Sequence, residues 1–73
     1  HPQVMEMTDR ARRVVADLYA AYNASPHEMP DAVRQSAESA GVGVRRCVAD
    51  YIAGMTDRFA IREHRRLTGL HLF

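Results

Sequence analysis

The 73 residues carry ten arginines and no lysine against nine carboxylates, a formal charge of +1, so no broad positive field is present to hold a phosphate backbone, and nucleic acid is not an expected partner. The single cysteine, Cys47, excludes an internal disulfide, and His1, His27, His64 and His71 never fall at the i, i+3 or i, i+4 spacing that sets two metal ligands on one helical face. No apolar run approaches the roughly 20 residues that span a bilayer, and the N-terminus lacks the order of a signal peptide, so no membrane partner is expected and the cytoplasm is the expected location.

A chain of this size forms one domain, here residues 1–73, and buries only about 60% of the surface its unfolded form exposes. Its core alone supplies no more than roughly 3–5 kcal/mol, so a partner surface is worth looking for. The opening His1-Pro2-Gln3, without an initiator Met, suggests a fragment or a processed chain.

In chain order, Val4, Met7, Ala11, Val14, Val15, Leu18 and Tyr22 recur at steps of three and four, the pattern of an amphipathic helix over about 2–24. Pro2 suits its first turn, and Asp9, Arg10, Arg12, Arg13 and Asp17 line its polar side. Pro26 and Pro30 each disfavour a helical residue just before them, so the helix stops near Asn23. A short helix over about 31–40 follows, with Asp31 as a possible cap, Val33 and Ala37 inward, and Gly41-Val42-Gly43 as a turn.

The last segment, about 43–67, reads as a second long helix. At about 100° per residue, Val44, Cys47, Val48, Tyr51, Ile52, Met55 and Phe59 share an arc of about 140°. Ala49, Ala53 and Ala60 gather on a second flank, which implies neighbours on two sides and a packing partner outside the chain. After Phe59 the pattern changes, because Arg62 and Arg66 take the angular positions of Val44 and Val48. Thr56 and Asp57 are both competent N-caps, so a break there is the alternative to a continuous helix. The expected core is Val14, Leu18, Tyr22, Val44, Val48, Tyr51, Ile52, Met55 and Phe59. The architecture is all-α, two long helices with a short one between.

Asp50, Gly54 and Asp57 fall on one side of that continuous helix. One reading has Gly54 admitting another backbone while the carboxylates hold a basic group; the other has Asp50 paired with Arg46, Asp57 capping, and Gly54 easing a helix crossing. Arg58 projects near the apolar arc and either snorkels to solvent or meets a carboxylate or phosphate. The clusters Arg10, Arg12, Arg13 and Arg45, Arg46 are interleaved with acids and read as solvated faces. Glu63 and His64 diverge by about 100° and do not form a dyad, so His64 is expected at the surface. Cys47 on the buried arc acts as a small apolar residue.

The run Arg45-Arg46-Cys47-Val48-Ala49-Asp50-Tyr51-Ile52-Ala53-Gly54-Met55-Thr56-Asp57-Arg58-Phe59-Ala60, continued by Glu63-His64-Arg65-Arg66-Leu67, resembles the C-terminal signature of deoxyguanosine triphosphate triphosphohydrolase-like proteins of the HD superfamily. Arg13-Val14-Val15, Leu18, Tyr22, Pro26, Met29 and Pro30 resemble the helix and turn that precede it. The resemblance implies a full-length enzyme that converts a dNTP into the deoxynucleoside and tripolyphosphate by metal-assisted attack of water on the α-phosphorus. It also implies a divalent metal held by His and Asp residues of an HD domain, which this sequence lacks. The chain is then a structural C-terminal helical part with no catalytic residue, metal ligand or cofactor of its own. Its implied partners are the HD catalytic domain of the same polypeptide and further copies in a homo-oligomer, with Asp50, Gly54, Asp57 and Arg58 as the contacts. A free-standing interaction or dimerisation module is the competing reading. A DNA-binding domain fits worst, because Asp50, Asp57 and Glu63 stand among the arginines of the last helix.

Overall fold

The computed structural model describes residues 9–70, which form four α-helices: α1 (Asp9–Ala24), α2 (Asp31–Ser39), α3 (Val44–Ala53) and α4 (Asp57–Thr68). The part of the expected first helix before Asp9 lies outside the described residues. Pro26 opens a single 3-10 turn, Pro26–Glu28, after α1, and Pro30 stands immediately before α2. The end of α2 is a Schellman turn: Gly41 N–H donates to the Glu38 carbonyl and Val42 N–H to that of Ala37, with Gly41 at φ 73°. Only glycine takes that left-handed conformation at no steric cost, and it swings Val42 back against the core.

The expected long helix over 43–67 is divided. α3 ends at Ala53, the Gly54 and Met55 amides close its last turn onto Asp50, Tyr51 and Ile52, and Thr56 turns extended at φ −75°, ψ 160°. The Thr56 hydroxyl accepts from the Phe59 amide at 3.2 Å, so a new helix starts there with Asp57 in its first turn, where the helix dipole favours a carboxylate. Thr56→Ala is expected to cost about 1 kcal/mol of unfolding free energy in urea titration, and an unchanged midpoint would show that the cap does not hold the break.

α1 is the centre of the domain, with α4 and α3 both packed on it and α2 packed on α3. Val14, Leu18 and Tyr22, one turn apart along α1, meet Met29 of the following turn and Cys47 and Val48 of α3 to form the core. Tyr51 sets its ring edge-on to Tyr22 at 5.4 Å between centroids, a favoured aromatic geometry. Tyr51, Ile52 and Met55 are half-buried against this cluster.

Two residues expected in the core stand outside it. Val44 is 50% exposed in the first turn of α3 at the rim, and Phe59 is 36% exposed. Phe59 leaves the buried arc because that arc assumed an unbroken helix, and the turn at Gly54–Thr56 resets the direction of α4. The described residues form a slab whose short dimension is 18 Å, less than two helix diameters of about 10–12 Å, so each helix keeps a face at the surface.

Candidate functional site

The most organised chemistry in the domain is a polar seam between α1 and α4. On α4, Ala60, Glu63, His64 and Leu67 follow the three-and-four spacing of a helix face turned inward, so two titratable side chains occupy positions where apolar ones would be ordinary. Both are buried, Glu63 to 9% and His64 to 1% exposure. Buried polar groups persist only with partners, and each of these has one on α1.

His64 Nε2 lies 2.8 Å from Asp17 Oδ2, and Arg13 Nε donates to the same oxygen at 2.9 Å. With Asp17 ionised, Nε2 is the donor. One turn further along α1, the Tyr22 hydroxyl donates to Glu63 Oε1 at 2.7 Å. Arg66 forks onto the same carboxylate, Nη2 to Oε1 at 2.8 Å and Nε to Oε2 at 3.0 Å, the two-pronged geometry that guanidinium suits and ammonium does not. Its Nη1 also donates to Glu28 Oε1 at 2.8 Å, which ties α4 to the turn after α1.

The electrostatics follow from these contacts. The His64 hydrogen bond, helped by Arg13, holds the Asp17 carboxyl below its ordinary value against the opposing effect of burial. Arg66, then Tyr22, do the same for Glu63. Burial, and then the bond to Glu63, push the Tyr22 phenol up, and burial pushes Tyr51 up. Glu63 and Glu28 raise Arg66 further.

A pH dependence results. A carboxyl depressed on folding binds fewer protons in the native state than in the unfolded one, so its contribution is complete above the ordinary carboxylate range and is lost as pH falls through the native value. Stability is expected to fall below about pH 4 as Asp17 and Glu63 protonate, read as a declining urea midpoint. In the double variant Asp17→Asn, Glu63→Gln this acid slope should flatten, and an unaltered slope would locate the dependence elsewhere.

Within the seam, Asp17, Tyr22, Glu63 and His64 each have a hydrogen-bonding partner. Among the described residues no three His, Cys, Asp or Glu side chains converge as a metal site requires. What the seam does is clamp the last helix to the first, across 47 residues of sequence at the His64 contact and 41 at Tyr22.

The seam was not expected from sequence, and the surface position expected for His64 is corrected: it is among the most buried side chains. The premise that Glu63 and His64 diverge holds, but each meets a different residue of α1. The residues expected to make contacts are placed elsewhere. Asp50 is exposed and takes both of its carboxylate oxygens to Arg46 Nε at 3.3 Å, the local pairing that was the alternative reading. Gly54 sits in the turn after α3, and Asp57 and Arg58 are exposed in the first turn of α4. The helix break means that Asp50 and Asp57 no longer lie along one helical face.

Beside Gly54 lies an open groove of about 840 Å³ between α2, α3 and the start of α4, floored by Val33, Ala37, Cys47, Tyr51 and Met55 with Phe59 at its edge. A second apolar depression of about 610 Å³ lies between α1 and α3, around Val15, Tyr19 and Ile52. No helix among the described residues is long and apolar enough to cross a membrane.

The chain belongs to the phosphohydrolase-associated domain family, whose model matches residues 1–66. It is 52% identical over 67 residues to a deoxyguanosinetriphosphate triphosphohydrolase-like protein of Azoarcus sp. (strain BH72), covering 92% of this chain and 17% of that protein. Similarly named proteins of Thiobacillus denitrificans and Mesorhizobium japonicum are 46% and 44% identical, each with 92% of this chain and 17% of their own length covered. The chain thus spans about one sixth of the curated relatives it matches. No solved structure matches it.

Proposed function

We propose that this domain is the helical support of a dNTP triphosphohydrolase, in which the remainder of the polypeptide binds a dGTP-like nucleotide and releases deoxynucleoside and tripolyphosphate. The observation that carries the reading is the extent of the likeness: nine-tenths of the chain aligns, at up to 52% identity, with one sixth of proteins named for that activity. The seam agrees with a structural role, since Asp17, Tyr22, Glu63, His64 and Arg66 are all engaged in holding α4 on α1. The divalent metal and the catalytic residues belong to the HD domain in this reading, and the whole enzyme is a cytoplasmic homo-oligomer. Asp50, Gly54, Asp57 and Arg58 are the contacts to that domain or to a neighbouring subunit.

The test uses the full-length protein, purified and assayed for tripolyphosphate release from each dNTP with a divalent metal present. Release from dGTP above the rate of a metal-free control is expected. Asp57→Asn in the same protein is expected to lower turnover or to shift the oligomer mass, and no change in either would remove that role from Asp57. A free-standing interaction module is the reading left standing if the full-length protein hydrolyses no dNTP and these residues assemble unaided.

A further inference from the structure

Among the described residues, the buried apolar side chains all belong to elements other than α4. Val14, Leu18 and Tyr22 stand on α1, Met29 on the turn after it, and Cys47 and Val48 on α3, whereas the two residues that α4 buries are Glu63 and His64. The apolar share of α4 is the half-buried Ala60 and Leu67 packed against that cluster. The last helix is therefore held on by a different chemistry from the one that closes the core.

An apolar contact has no substitute in water, but the bonds of the seam do. When α4 and α1 part, water takes over the carboxylates of Asp17 and Glu63, the His64 ring and the Arg66 fork, and the desolvation cost of these groups is recovered. Parting the helices differs in this from deleting one partner, which leaves the other buried and alone. A seam of this kind fixes the position of α4 closely and holds it weakly.

The backbone offers a place to bend. The turn at residues 54–56, with Thr56 extended, separates α4 from α3, so rotation there moves α4 without breaking a bond inside α3. Both ends of α4 are closed by its own stretch of chain, through the Thr56 hydroxyl on the Phe59 amide and through the left-handed Gly69, whose N–H donates to the Arg65 carbonyl. Neither cap is lost when α1 is left behind.

We propose that α4 is a hinged strap: it lifts from α1 as one unit about residues 54–56 while α1, the turn after it and α3 keep the core closed. The bonds of His64 to Asp17, and of Tyr22 and Arg66 to Glu63, are its latch. A free helix of 12 residues is marginal in water, so the amides of α4 lose protection each time the strap opens.

Hydrogen–deuterium exchange of the full-length protein, resolved by mass spectrometry of its peptides and corrected for intrinsic amide rates, reads the opening. Peptides from residues 57–68 are expected to exchange about tenfold faster than peptides from residues 9–24, and to respond more weakly to low urea, because lifting the strap exposes less surface than unfolding the domain. Exchange of α4 no faster than that of α1, or an equal urea dependence in the two, overturns the proposal, since α4 then opens only with the whole domain. The double variant Tyr22→Phe, Glu63→Leu puts an apolar contact in place of the central latch bond and leaves Arg66 its bond to Glu28. In it the exchange of α4 is expected to slow about fivefold. An unchanged or faster rate would show that the polar bonds do not make α4 releasable, which also overturns the proposal. Neither measurement involves a substrate, so the hydrolase reading and the strap stand or fall separately.

Discussion

Glu63→Ala is expected to lower the unfolding free energy by about 2–3 kcal/mol, the largest effect of any polar substitution in the domain. Two groups lose a partner at once. The Tyr22 hydroxyl, on a fully buried side chain, is left without its charged acceptor. Leaving such a donor unsatisfied costs about 1–3 kcal/mol. Arg66 loses both prongs of its fork but keeps Glu28 and is 47% exposed, so solvent recovers much of its part. Tyr22→Phe removes the donor along with the need for an acceptor, so the double variant is expected to be less destabilised than the sum of the two single ones by about 1 kcal/mol. Urea unfolding of the four proteins forms the cycle, and strict additivity would show that the Tyr22 to Glu63 bond contributes nothing.

Leu18→Ala is expected to reach further, with a loss of about 2–5 kcal/mol, since the cost includes both lost apolar transfer and the void left behind. Leu18 is fully buried at the centre of α1, between Val14 and Tyr22. A core of this size supplies only roughly 3–5 kcal/mol, so the same substitution that merely weakens a large protein should leave this domain substantially unfolded at room temperature. Far-ultraviolet circular dichroism of the isolated domain reads this directly. Retention of most of the helical signal with a cooperative melt would show that the margin is wider than the core implies.

Several features were legible because their causes are local. The face of α1 through Val14, Leu18 and Tyr22 follows from helical spacing alone, and the stop before Pro26 and Pro30 follows from the geometry of proline. Gly41 as the turn after α2 is equally local, since the left-handed angle it supplies is closed by bonds to residues three and five positions back. The pairing of Asp50 with Arg46 spans one turn of one helix. Thr56 was identifiable as a competent cap, yet its use was not decidable, because an unbroken helix and a capped break leave nearly the same pattern up to Met55.

What the amino-acid order determined, then, was the all-α class, the apolar stripe of α1, where α1 stops, the turn that ends α2, and the family. Tertiary structure decided which way α4 points after Thr56, and with it everything that depends on direction: that Phe59 lies outside the core, that His64 and Glu63 lie within it, and that Asp17 and Tyr22 meet them across more than 40 residues. The physical reason is that spacing along a helix reports only which residues share a face. Whether a polar residue on that face is buried depends on a hydrogen-bonding partner from a distant segment, and that partner exists only once the chain has folded.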